Sequence, residues 1–250
     1  MIRNSFIFLD RVGERTERNL WRSGILEWDD FLSARSVPGF GTVRKGYCDR
    51  QILKAERNLL AGNAPHFAHI LPPSEHWRLY RQFKGDAVFL DIETSGYYGD
   101  VTVVGLYDGE DTKILVKGIN LNGKAIREEL EKHKLIVTFN GSSFDLPVLE
   151  RYYPGCIPFL PHLDLRWACQ KIGYTGGLKK IEREMGIARP DELEDISGAD
   201  AVSLWNAYRS SGKRKYLDKL VAYNEEDIIN LQPITERVCS RLLQETLPQI

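Results

Sequence analysis

The sequence predicts an α/β fold: a mixed five-stranded sheet flanked by helices, preceded by a small, mostly helical N-terminal domain. Three observations predict it. The stretch Ala87-Val88-Phe89-Leu90-Asp91-Ile92-Glu93-Thr94 opens with four consecutive apolar residues, the pattern of a strand covered on both faces. From there the chain reads strand, strand, strand, helix, strand, helix, strand and then helices, an order that layers helices on a sheet. Before Ala87 the patterns are helical, so the boundary falls near Gly85 and divides the chain into domains 1–85 and 86–250. A chain of 250 residues is long enough for two such units.

In the first unit, a turn at Gly13 precedes an amphipathic helix that runs through Leu20-Trp21 and stops at Gly24. A second short helix begins near Glu27. Residues 36–47, punctuated by glycine and proline, read as a loop. Asp49 to Leu60 reads as a helix stopped at Gly62. Ser74 to Phe83 reads as a helix whose aromatic face, Trp77, Tyr80 and Phe83, packs against the second unit. His66, His69, His76 and Cys48 fit no common zinc spacing, and Pro72-Pro73 separates them.

In the second unit, the strand from Ala87 is followed by a turn over residues 94–100. Strands are predicted at Val101 to Tyr107 and Lys113 to Lys117, a helix at Gly123 to Lys134, and a fourth strand at Leu135 to Phe139. A helix over Asp145 to Tyr152 and a short strand at His162-Leu-Asp164 come next. Helices at Gly177–Met185, Asp200–Ser210 and Lys213 to Leu243 close the chain.

Three places carry chemistry. Asp91 and Glu93 are two positions apart on a strand, so both carboxylates project from one face into one small volume. Like charges that close destabilise each other unless one takes a proton or a cation joins them, and oxygen-only ligands suit magnesium or manganese. The plainer reading is a strand that ends in solvent with two surface acids. Asp145 follows the strand ending at Asn140 and opens a helix, where an aspartate commonly caps; one carboxylate has oxygens enough for both a cap and a metal. Asn140 and Phe144 beside it suit a nucleotide, one by hydrogen bonding and one by stacking. Tyr223 and Asp227 are four apart on a helix and share a face, whereas Glu225 and Glu226 read as its solvated side.

Together, Asp-x-Glu-Thr, Asn-x4-Asp and Tyr-x3-Asp resemble the motifs of the DEDD exonucleases of the RNase H-like superfamily, in the branch whose last motif carries tyrosine. The run Phe-Leu-Asp-Ile-Glu-Thr, Phe-Asn-Gly-Ser-Ser-Phe-Asp-Leu-Pro, His-Leu-Asp-Leu and Gly-Leu-Lys-Lys-Ile-Glu is similar to the YprB-type ribonuclease H-like domain, over roughly residues 86–245. The resemblance implies a 3′–5′ exonuclease that uses two Mg²⁺ or Mn²⁺ ions. Asp91 would bridge them, Glu93 and Asp227 would complete one and Asp145 would help hold the other, with Tyr223 orienting the attacking water and Thr94 contacting substrate. Tyr97 stands where that family has leucine, an aromatic suited to wedge against a terminal base. Asp164 reads as structural, and Lys179 and Lys180 as a solvated face.

The segment around Gly13 resembles the helix-hairpin-helix module, which holds a DNA phosphate on backbone N–H groups. Arg11 replaces the first of that module's two glycines, and only about eight residues precede the hairpin, too few for a first helix of roughly three turns. By this resemblance Arg11, Gly13 and Arg15, with Arg18, would contact phosphate. The expected partner is nucleic acid, single-stranded or 3′-end DNA in preference to RNA. Net charge is −1, so no global field draws the chain to it. Residues 1–86 nevertheless hold 14 Lys/Arg against 10 Asp/Glu, and residues 87–250 hold 20 against 25, a basic front before an acidic site. Four scattered cysteines give no zinc ribbon and no disulfide framework, which favours a reducing cytosol. The apolar run Phe6-Ile7-Phe8-Leu9 is too short to span a membrane. Those features set the expectation of a soluble cytoplasmic protein.

Overall fold

The computed structural model describes residues 1–96 and 99–247. Its centre is β1 (Ala87–Thr94), buried along most of its length, which pairs antiparallel with β2 (Val101–Tyr107) and parallel with β4 (Leu135–Thr138). β3 (Thr112–Val116) extends the sheet beyond β2, and β5 (His162–Asp164) extends it beyond β4, giving the order β3-β2-β1-β4-β5. The sheet is mixed and five-stranded, as expected. The parallel β1–β4 step needs a crossover, and α6 (Gly123–Leu130) supplies it. The hydroxyl-free start of α6 is capped by Asn122, whose side chain accepts from the Ala125 N–H at 2.9 Å.

Strand alternation sorts the two faces. Val88, Leu90 and Ile92 enter a core with Ile126 and Leu130 of α6 and with Val148 and Leu149 of α7 (Asp145–Tyr152). Ala87 and Phe89 face the other way, into a core with Leu231, Ile234 and Val238 of α12 (Arg214–Thr246). Asp91 and Glu93 share that second parity, so the sheet turns its acids toward α12. Between α7 and α12 lie α8 (Leu165–Lys171), α9 (Leu178–Glu184), α10 (Asp191–Glu194) and α11 (Gly198–Ser211).

The N-terminal region consists of α1 (Glu14–Arg22), α2 (Trp28–Ser33), α3 (Thr42–Leu60), α4 (Ala64–Ile70), a 3-10 helix over Pro73–Leu79 and α5 (Tyr80–Phe83). Two expectations are corrected here. The loop read over residues 36–47 ends at Gly41, because α3 begins at Thr42 and carries Gly46 inside it. A buried stripe of Cys48, Ile52, Ala55 and Leu59 outweighs the roughly 1 kcal/mol that an interior glycine costs. The helix read over Ser74 to Phe83 is a 3-10 turn followed by one α turn. Prolines 72 and 73 lack N–H groups at its start, and Arg78 inside it is drawn to Glu75 at 2.6 Å and Glu17 at 2.9 Å. Trp77, Tyr80 and Phe83 are buried in the same core as α12, the packing expected of them. Among the described residues no helix is long and apolar enough to cross a membrane.

Candidate metal centre

Asp91 sits opposite Gly105 in the β1–β2 register, and that glycine is what lets α12 approach. A Cβ at Gly105 would lie 2.0 Å from Asn224 Oδ1. Without it, the buried Asn224 slides over the strand, and its Nδ2 donates to Asp91 Oδ2 at 2.9 Å. The same helix turn places Asp227 and Tyr223 beside the strand. One carboxylate oxygen from each of Asp91, Glu93 and Asp227 falls within 4.8 Å of the others.

Asp145 joins from the far side of the strand. The Ile92 N–H donates to its Oδ1 at 3.1 Å, so the side chain that opens α7 also binds β1. The loop that delivers it is tightly built. Asn140 adopts φ +67, a left-handed conformation that asparagine tolerates, and its N–H donates to Asp164 Oδ1 at 2.8 Å. Asp164 also accepts from the N–H groups of Ser142 and Arg166, the structural duty expected of it. The Asn140 side chain is held by Arg166 Nη1 at 2.8 Å. Phe144 lies half-buried against the α6–α7 core, and the Thr94 hydroxyl donates to the Gly96 carbonyl, closing the turn after β1. Tyr97 lies outside the described residues.

Burial and mutual repulsion push these carboxyls up. Asp91 is raised well above its ordinary range by desolvation and then by Asp145, Asp227 and Glu93; Glu93 is raised by desolvation, Asp227 and Asp145. Asp145 is pushed up to about 7 and Asp227 to about 6, burial being the largest cause in each. Three acids that meet through oxygen atoms alone, with Asp145 adding to their mutual repulsion, fit a hard divalent cation, which would remove that repulsion. The Tyr223 phenol is raised too, by burial and by Asp227, Glu93 and Asp91.

Several neighbours of these carboxylates are not legible in the sequence. Arg189 donates to Asp227 Oδ1 through Nη2 and is itself gripped by Glu182, which Asn230 also contacts at 3.1 Å. Lys179, read as solvated, instead donates to the carbonyls of Leu193, Glu194 and Ile196 and lies 5.2 Å over the Tyr223 ring. Lys180 keeps an exposed pair with Glu184 at 3.5 Å. Glu225 accepts from the Thr112 hydroxyl at 2.8 Å and Glu226 from Asn230 at 3.1 Å, so neither is merely solvated. Proximity to an acidic triplet in sequence was the only signal for Asn224, and nothing local marked Arg189.

The N-terminal candidates stand in the other region. Gly13 is the N-cap of α1, Arg11 is exposed at φ +55, and Arg15 is exposed on the first turn. A one-turn 3-10 helix, Ile2–Asn4, and a run of turns precede Gly13.

A family model described as the RNase_H superfamily matches residues 88–239. No curated protein matches the chain. Among solved structures, a family B DNA polymerase from Pyrobaculum calidifontis is similar at 15% identity and TM-score 0.51, over 64% of this chain and 25% of the polymerase. A structure described as the apo form of a nuclease is similar at 19% identity and TM-score 0.48, over 67% of this chain and 78% of that one. RNase D of Escherichia coli, an exoribonuclease, aligns at 19% identity and TM-score 0.46, over 70% of this chain and 45% of its own.

Proposed function

The chain belongs to the RNase H superfamily, and we propose that it is a divalent-metal-dependent nuclease, a 3′–5′ exonuclease acting on DNA, with RNA as the alternative polymer. One observation carries this reading: Asp91, Glu93 and Asp227 present oxygens within 4.8 Å of one another, with Asp145 tied to the same strand. Two Mg²⁺ or Mn²⁺ ions held by these four residues would supply an activated water and stabilise the leaving 3′ oxygen of a phosphodiester. Such metal assistance needs all four carboxylates ionised, so the protons that burial and mutual repulsion favour on them would leave as cations bind.

Tyr223 keeps its proton throughout the neutral range, because burial and three carboxylates raise its pKa further. It is therefore a hydrogen-bonding, water-orienting group and not a base. Arg166, which holds Asn140, would offer a cation to an incoming strand, with Asn140, Phe144 and Thr94 as further contacts. Arg11, Gly13 and Arg15 would hold the phosphates of flanking nucleic acid.

A cleavage time course in Mg²⁺ or Mn²⁺ tests the reading, on 5′-labelled single-stranded DNA, 3′-recessed duplex and RNA. A ladder shortening from the 3′ end, absent in Asp91→Ala and Asp145→Ala proteins that still bind the strand, is the expected result. Discrete internal cuts would replace the exonuclease with an endonuclease on the same carboxylates. Tight binding without cleavage in any cation would refute nuclease activity altogether.

A further inference from the structure

Arg189 lies in the stretch between α9 and α10, and its side chain is only 4% exposed. Its Nε and Nη2 donate to the two oxygens of Glu182 at 2.7 and 2.6 Å, a parallel fork that immobilises the guanidinium. Nη2 also donates to Asp227 Oδ1, and the guanidinium carbon lies 5.9 Å from the centre of the Tyr223 ring. Glu182, itself 2% exposed, also accepts through Oε1 from Asn230, one turn beyond Asp227 on α12. A buried arginine is thus braced by a carboxylate that takes no part in the proposed hydrolysis, and its free edge is set against one that does.

We propose that Arg189 is a positioning residue for the metal centre. Clamped by Glu182, it holds Asp227 by Oδ1 alone and so leaves Oδ2 to face the cation. This rests on the nuclease reading above and adds to it a residue outside the three acidic motifs. A cation placed beside a metal ligand has two opposed effects. It repels a metal, and it orients the ligand. Here Glu182 neutralises most of the repulsion because the pair carries no net charge, whereas the fork geometry retains the orientation. Partners that hydrogen-bond to metal-ligating carboxylates typically change metal affinity or activity 10- to 100-fold when removed, roughly the effect expected here. Lysine cannot reproduce the arrangement, since a single ammonium has no planar fork with which to grip Glu182 and Asp227 together.

The test is a Mn²⁺ binding isotherm on the full chain, for wild type, Arg189→Lys and the Glu182→Gln/Arg189→Gln pair. Arg189→Ala is avoided because it would strand Glu182 as a buried charge without a partner. Both variants should bind Mn²⁺ about 10- to 100-fold more weakly than wild type. Cleavage should fall in kcat at fixed Mn²⁺, recover in large part as Mn²⁺ is raised, and show an unchanged KM for the strand. If the double variant does not fold, Arg189→Lys decides alone. Affinity equal to wild type would overturn the proposal, as would tighter binding, which would show that Arg189 competes with the metal. A flat isotherm for wild type would overturn the metal reading together with this one, whereas wild-type binding with unaltered variants overturns this one alone.

Discussion

Replacing Gly105 by alanine adds one methyl group at the point where α12 crosses β2. The backbone there is ordinary strand, so alanine meets no conformational strain, and the whole effect comes from packing. The new Cβ would lie 2.0 Å from Asn224 Oδ1, 3.0 Å from its Cγ and 3.2 Å from Ile228 Cδ1. Asn224 is fully buried and cannot swing into solvent, so the helix must rise or the amide must leave Asp91. Overpacking of this kind costs about 1–3 kcal/mol. For a chain of this length that is a fall of roughly 2–12 °C in the thermal midpoint. Because Tyr223 and Asp227 ride on the same turn, cleavage and Mn²⁺ affinity should fall with it. Asn224→Ala removes the obstruction, so in the double variant the two losses should not add, with a coupling of about 0.5–3 kcal/mol. Melting curves and Mn²⁺ isotherms for the four proteins form the assay. An unchanged midpoint and affinity in Gly105→Ala, or strictly additive losses, would refute the contact and with it this account of how Asp91 meets α12.

Three further outcomes are expected. Asp145 ionises near 3.8 in the unfolded chain and at about 7 in the fold, so the folded state holds the extra proton between those values. The stability difference between wild type and Asp145→Asn in EDTA should therefore move against wild type as pH rises from 6 to 8. Saturating Mn²⁺ should reverse that movement, and a difference that stays flat in EDTA would contradict the buried, crowded carboxyl. Arg78→Met breaks the buried contacts to Glu17 and Glu75 and should cost about 3–5 kcal/mol in chemical denaturation, far more than the exposed pair of Arg18 with Glu14. Arg11→Ala with Arg15→Ala should weaken DNA binding and flatten its dependence on log salt by up to about 2, leaving kcat alone; an unchanged salt slope would remove these arginines from the interface.

Side-chain period made the acidic strand readable: two acids at i and i+2 had to share a face, and an i,i+4 pair had to share a helix turn. The succession of strands and helices along the chain followed from buried apolar runs and short helical spacings. What could not be read depends on contacts far apart in sequence. Asn224 stood inside Asn-Glu-Glu-Asp as one more polar residue, and only the absent Cβ of Gly105, over a hundred positions earlier, turns it toward Asp91. Arg189 lies in an irregular stretch before a proline, with no period to say which way it points. The start of α3 was hidden by Gly41 and Gly46, two local signals that a long buried stripe overrode. The 3-10 helix over Pro73–Leu79 was hidden in the same way, because Arg78 inside it answers to Glu17, 61 positions away.

The core under the odd face of β1 is continuous with that of the N-terminal helices: Phe6, Trp28, Phe31 and Phe67 belong to the same buried cluster as Leu231, Ile234 and Val238. The two halves consequently have no dry surfaces of their own along that boundary. Cutting the chain near residue 85 would bare an oily flank on α12, the helix that carries Tyr223 and Asp227. Heating should then unravel both halves in a single calorimetric transition. A homologue stripped of the front should therefore show polar replacements at positions 231, 234 and 238.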